Sequence, residues 1–102
     1  MKNFYYICTM IRLSLVIATY NRAEQLMITI RSVAAQSKTS AQWECIVVDN
    51  NSTDNTKERV EEFIAEHPHL NIIYHFECKQ GLSHARNAGI ERAQGDIIAF
   101  ID

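Results

Sequence analysis

The sequence predicts an α/β fold, a three-layer sandwich with helices on both faces of a mostly parallel four-stranded sheet. Three observations carry this. Four strand-like runs alternate with three segments of helical periodicity. Three of those runs are almost uninterruptedly apolar, as strands covered on both faces are. The alternation itself builds successive βαβ units, and these make parallel sheets with right-handed crossovers. At 102 residues and 47% hydrophobic content, the chain has material for one modest core.

Taken in order, residues 1–11 form an N-terminal extension ahead of the fold. The stretch "MKNFYYICTMIR" is apolar, but Arg12 interrupts it, which speaks against a signal peptide. The first strand is "RLSLVIA" at 12–18. A helix should follow Asn21, which can cap it with Glu24 three residues on in capping-box spacing; Leu26, Ile30, Val33 and Ala34 form its inner face, and it should end near Ser37. The second strand is "WECIVV" at 43–48. The second helix should run from Asp54 to Glu66 with Val60, Phe63 and Ile64 inward, stopping ahead of Pro68.

The third strand, "LNIIYHF" at 70–76, alternates more than the others and carries His75, which suits a sheet edge. The third helix should span Leu82 to Ala93. Its inner residues Leu82, Ala85, Ala88 and Gly89 are mostly small, so it can approach the sheet closely, and Gly95 offers a C-cap. The fourth strand, "DIIAFI" at 96–101, is apolar enough to be buried on both faces in an interior position. Sequential adjacency and right-handed crossovers then give the strand order 3-2-1-4, a Rossmann-like arrangement whose direction switches between strands one and four.

In such sheets the ligand crevice lies beyond the carboxyl ends of the strands at the switch point. Strand one ends in Thr19, Tyr20 and Asn21, strand two in "DNNSTD" from Asp49 and Asn50 onward, and strand four in Asp102. Tyr20 can stack on a base or simply pack over its own helix. Asp49 and Asn50 offer groups for a base edge or ribose hydroxyls, yet the same stretch is also a natural Asx turn and helix cap. Arg86, one turn into the third helix, can reach a phosphate or lie on a solvated face.

Several functions are excluded by composition. A formal net charge of −2 without any Lys/Arg block argues against nucleic acid as a partner. Cys8, Cys45 and Cys78 have neither disulfide-framework nor zinc spacing, which fits a reducing, cytoplasmic compartment. His67, His69, His75 and His84 lack ligand spacing, and no run approaches the ~20 apolar residues of a membrane span. The three glycines, Gly81, Gly89 and Gly95, make neither a dinucleotide fingerprint nor a Walker loop. Phosphates would need another counter-charge, and a divalent metal on Asp102 would supply it. From these residues a non-catalytic α/β nucleotide- or phosphate-binding module remains an alternative to an enzyme.

Three stretches in register, "LSLVIATYNR", "ECIVVDNNSTDNT" and "GLSHARNAGIERAQGDIIAFID", resemble the nucleotide-binding half of inverting GT-A glycosyltransferases of the large family-two type over residues 12–102. The resemblance implies that Thr19, Tyr20, Asn21, Asp49 and Asn50 hold the base and ribose of a UDP- or GDP-sugar, although many relatives carry an acid where Asn50 stands. It implies that Arg86 lies close to the nucleotide and that Asp102, the first acid of the D-x-D motif, is a ligand of Mg²⁺ or Mn²⁺.

On the same resemblance, the nucleotide-sugar-binding part at 12–102 is incomplete. The second acid and the acceptor half with its catalytic base would follow, so no catalytic residue is assigned and the 102-residue piece alone is expected to be inactive. The full enzyme would transfer a hexosyl group with inversion to a sugar or lipid-linked acceptor, in cell-surface polysaccharide synthesis, in the cytoplasm or at the inner face of the membrane. The outer edge of strand four, left bare, would favour self-association.

Overall fold

The computed structural model describes residues 12–36 and 42–101, and in them four strands alternate with three helices. These are β1 (Arg12–Thr19), α1 (Ala23–Ala35), β2 (Gln42–Asp49), α2 (Thr56–Glu66), β3 (Ile72–Phe76), α3 (Leu82–Arg92) and β4 (Ile97–Ile101). The extension at 1–11, the first helix's expected end at Ser37, and Asp102 lie outside the described residues. The sheet order is β3-β2-β1-β4 and every pairing is parallel, as the sequence predicts.

Strand alternation sends successive side chains of β1 and β2 to opposite faces. Ile17, Cys45 and Val47 face one way and join Leu26, Ile30 and Val33 of α1 with Val60 and Phe63 of α2. Val16, Ile46 and Val48 face the other way and meet Ala85 and Ala88 of α3. Two helices therefore cover one face and one covers the other. Burial pushes the Cys45 thiol up to about 12, so this cysteine is a small apolar core residue and not a nucleophile.

The α3 layer depends on small residues. A Cβ on Gly89 would stand 2.3 Å from Val16 Cγ1, so the helix backbone rests directly on the β1 side chain. At the far rim of the sheet, Ser14 Oγ donates to buried Glu44 Oε2 (2.6 Å), which also accepts from Gln94 N (2.7 Å). Gly95 N donates to Ser14 Oγ (2.8 Å), and Asp96 N to the Arg12 carbonyl (2.8 Å). This network feeds the chain from α3 into β4.

Several local expectations are corrected. Gly95 is not the C-cap of α3; that position is Ala93, and Gly95 instead presses on β1, where a Cβ would meet Ser14 Oγ at 2.6 Å. Asn21 does not cap α1, whose N-cap is Arg22 with no side-chain cap, because the Asn21 side chain turns to the next loop. Helix α2 starts at Thr56 and not Asp54. Leu82 is exposed, since it sits at the mouth of a cavity. Strand β4 is not interior: within the described sheet it pairs with β1 alone, leaving Ile97, Ile98 and Phe100 exposed.

Replacing a mid-helix glycine by alanine ordinarily gains up to about 1 kcal/mol. Forcing a methyl group onto a stiff β-branched neighbour costs about 1–3 kcal/mol, so overpacking should win at Gly89. We expect Gly89→Ala to lower the urea midpoint, and Val16→Ala in the same chain to recover part of the helix gain. A Gly89→Ala chain more stable than the parent would show that α3 does not rest on Val16.

Candidate functional site

Three loops leave the carboxyl ends of β1, β2 and β3 along one rim, and side chains stitch them together. Asn21 (φ 49) and Asn51 (φ 70) take left-handed conformations, which asparagine tolerates better than most residues. Asn21 N donates to Ser52 Oγ (2.9 Å), while Asn21 Oδ1 accepts from Thr53 N (2.8 Å) and Asp54 N (3.2 Å). The first loop thus holds the second.

Asp54 completes that junction. Its Oδ1 accepts from the backbone N–H and hydroxyl of Thr56, at the start of α2, and its Oδ2 from Ala23 N (3.4 Å), at the start of α1. One carboxylate therefore meets orphan donors of two helices, each of which lacks a side-chain cap of its own. The hydroxyl of Thr56 is the main reason the Asp54 carboxyl lies below its ordinary value. The Arg59–Glu24 ion pair joins the same two helices nearby.

Asp49 is buried at 1% exposure, and its carboxylate accepts from Ser52 N (3.0 Å) and Tyr74 Oη (2.6 Å). Burial first, and the Asp49 carboxylate second, push the Tyr74 hydroxyl well above its usual range. Tyr74 therefore stays a donor at every ordinary pH. Asn50, also buried, reaches the third loop through Lys79 and Gly81, and its own N–H donates to the Thr19 carbonyl (2.8 Å).

Between the end of β1, the adjoining face of α1 and the start of α3 lies a cavity of about 330 Å³. Thr19, Tyr20 and Asn50 line it, with Arg22, Gln25 and Thr29 on one side and Leu82 and Ala85 on the other. Tyr20 is 44% exposed, so its ring is available at the mouth. Asn21 and Asp49 are not among the lining residues; they hold the rim from behind. Arg86 lies with its guanidinium carbon 5.5 Å from the centroid of Phe100, which places it beside β4. Asp102 lies outside the described residues. Among those described, no group of three or more His, Cys, Asp or Glu side chains could hold a metal.

Sequence reasoning missed Tyr74, Asp54 as a double cap, and Arg22 and Gln25 in the cavity wall. The Asx turn and cap expected of "DNNSTD" is made by Asp54 at Thr56, whereas its reach to Ala23 across 31 residues has no local sequence signal. Nothing in "LNIIYHF" distinguishes a tyrosine bonded to a neighbouring strand's acid from one packed at an edge.

The model of the family "Glycosyl transferase family 2" matches residues 14–102, nearly the whole rim and core just described. The chain belongs to that family. It is 39% identical over 89 residues to glycosyltransferase AglE of Haloferax volcanii, covering 87% of this chain and 29% of the relative.

Among solved structures, it is similar to the mannosyltransferase PcManGT from Pyrobaculum calidifontis in complex with GDP-Man and Mn²⁺ (TM-score 0.80, 29% identity, 86% of this chain and 26% of that one). It is likewise similar to S. aureus TarS 1–349 in complex with UDP-GlcNAc (TM-score 0.77, 28% identity, 89% and 26%). Two further relatives, from Campylobacter jejuni and Escherichia coli, 31% and 35% identical, are named as glucosyltransferases of undecaprenol-diphosphate-linked sugars. The chain spans about a third or less of the length of these relatives. Its β3-β2-β1-β4 sheet with three helices is the N-terminal region of a GT-A type fold.

Asp54 gives a pH test. A carboxyl held below its ordinary value in the folded chain contributes stability above that ordinary value and loses it as pH falls through the lower, folded one. We expect Asp54→Ala to lower the urea midpoint at pH 7, with the gap to the parent narrowing as pH falls below the ordinary carboxyl range. The group is solvent-exposed, so the change should be small. A gap independent of pH would remove the carboxylate charge from the account.

Proposed function

We propose that the cavity takes the nucleoside diphosphate part of a UDP- or GDP-sugar, in an enzyme that transfers the sugar with inversion to an acceptor hydroxyl. The observation that carries this is placement: Thr19, Tyr20 and Asn50 line one cavity at the carboxyl ends of the strands, beside the β1/β4 switch point. The GDP-Man and UDP-GlcNAc held by the two solved neighbours support the ligand class.

In this reading the Tyr20 ring stacks on the base, and Thr19 and the rim held by Asn21, Asp49 and Asn50 enclose the ribose. Arg86, partly buried beside Phe100, lies toward the diphosphate as a fixed cation. The Mn²⁺ of the mannosyltransferase supports a divalent cofactor, Mg²⁺ or Mn²⁺; its ligand in this reading is Asp102, on the resemblance of the motif alone. The described residues provide no metal cluster of their own, so their part is to bind and orient the donor. The acceptor is a sugar or a lipid-linked sugar, a reading supported by the undecaprenol-linked substrates in the relatives' names. Such an acceptor would place the whole enzyme at the cytoplasmic face of a membrane; no described helix is long and apolar enough to cross one.

Nucleotide binding is tested by titrating UDP and GDP into the chain, with and without Mn²⁺, by calorimetry. Tyr20→Ala should weaken the bound nucleotide by about 1–3 kcal/mol, the range for base stacking on an aromatic ring. Unchanged affinity would return Tyr20 to a packing role.

The exposed apolar edge of β4 gives a second expected outcome, self-association of this chain that rises with concentration in light scattering. Ile98→Lys should suppress it, and a monomer throughout would contradict it.

A further inference from the structure

The contacts of Asn50 go beyond lining a cavity. Its Nδ2 donates to the Lys79 carbonyl (2.7 Å) and, more weakly, to the Glu77 carbonyl (3.4 Å), while its Oδ1 accepts from Gly81 N (2.8 Å). Two carbonyls on one side and an N–H on the other fix which atom of the amide is which. At 6% exposure the side chain is nearly closed off from water, and both donor protons are engaged.

These bonds span the whole loop between β3 and α3. That loop has little else to hold it: Glu77 N donates to the Asp49 carbonyl (2.8 Å) and Lys79 N to its own loop's Glu77 carboxylate (2.9 Å), while residues 78–80 are exposed. Gly81, at φ +136 and ψ 141, then turns the chain into the helix through a conformation other residues rarely adopt. Its carbonyl accepts the first helical bond, from Ala85 N (3.1 Å). The next residue, Leu82, and one turn later Ala85, form the α3 wall of the cavity.

We propose that Asn50 is a positioning residue, which fixes where α3 begins and so sets the Leu82–Ala85 wall, instead of reading the ligand itself. In this chain the amide supplies both halves of the pattern, donor and acceptor. A carboxylate accepts but does not donate at neutral pH, and would set its charge against two carbonyl oxygens; an alanine would leave Gly81 N and the Lys79 carbonyl without their partner. As a statement about nucleotide affinity this rests on the reading of the cavity given above; as a statement about the loop it stands alone.

The test begins without ligand. In the unmodified chain, hydrogen exchange followed by NMR should show the Asn50 side-chain amide protons exchanging about tenfold or more slowly than those of exposed Asn87, with the Gly81 N–H protected. Asn50→Ala should lower the Gly81 protection factor about tenfold. Asn50→Asp keeps an acceptor for Gly81 N but sets its charge against the Lys79 and Glu77 carbonyls, so it should lower the factor less than alanine does at pH 7 and recover part of it below about pH 4, where a protonated carboxyl can again donate.

With UDP and GDP as probes, both variants should weaken the two nucleotides by similar factors, keeping their affinity ratio within about twofold. Fast exchange of the Asn50 amide in the unmodified chain overturns the proposal, and needs no variant to fold. So does unchanged Gly81 protection in the variants, or a shift of tenfold or more in the UDP to GDP ratio with Gly81 protection intact. If the unmodified chain binds neither nucleotide, the reading of the cavity fails, while the exchange data still decide the role of Asn50.

Discussion

Side chains that hydrogen-bond to loop backbone at one rim of the sheet are the constraint on which the rest of this structure depends. Asn21, Asp49, Asn50 and Asp54 together accept from the backbone N–H groups of Thr53, Ser52, Gly81, Thr56 and Ala23. None of those donors has a partner within a strand ladder or helix, and for the buried residues among them, Thr56 and Ala23, an N–H without a partner would cost about 1–3 kcal/mol. Those to Thr53, Gly81 and Ala23 run across sequence separations of about thirty residues and join one βα unit to the next, while those to Ser52 and Thr56 shape the second loop itself. A rim held in this way gives a cavity whose walls come from α1, β1 and α3 yet keep a fixed spacing.

The opposite rim has a different task and a different chemistry. There buried Ser14 and Glu44, with the backbone of Gln94 and Gly95, form a network that brings β4 alongside β1. The α3 layer, resting on Val16 through Gly89, sets how near that helix comes to the sheet. Loops at the carboxyl ends are thereby left to shape a site, while the amino ends and the α3 face supply rigidity. This division is what open parallel sheets generally show.

The sheet was legible in the sequence because its signals are long and redundant. Uninterrupted apolar runs, helical periodicity between them and the handedness of crossovers leave few orders, and β3-β2-β1-β4 is the one observed. Helix ends were less legible. Asn21 has the right residue type and spacing for a cap, but its amide finds better partners in Thr53 and Asp54, which are distant in sequence. Gly95 looked like a helix terminator and is instead a point of contact with β1. The burial of β4 was over-read because an apolar run shows only that a strand can be covered, not that both its faces are.

For the candidate site, sequence placed Thr19, Tyr20, Asn21, Asp49 and Asn50 at one rim, and geometry divides them. Thr19, Tyr20 and Asn50 line the cavity, whereas Asn21 and Asp49 brace it. The most direct test of the account is NMR shift mapping with UDP and diamagnetic Mg²⁺ on the labelled chain. It predicts perturbations confined to Thr19–Arg22, Asn50 and Gly81–Arg86, with those around Arg12, Trp43 and Gln94 unmoved. Perturbations centred on that opposite rim, or on the apolar hollow beside Leu15, Val33 and Ile101, would contradict it.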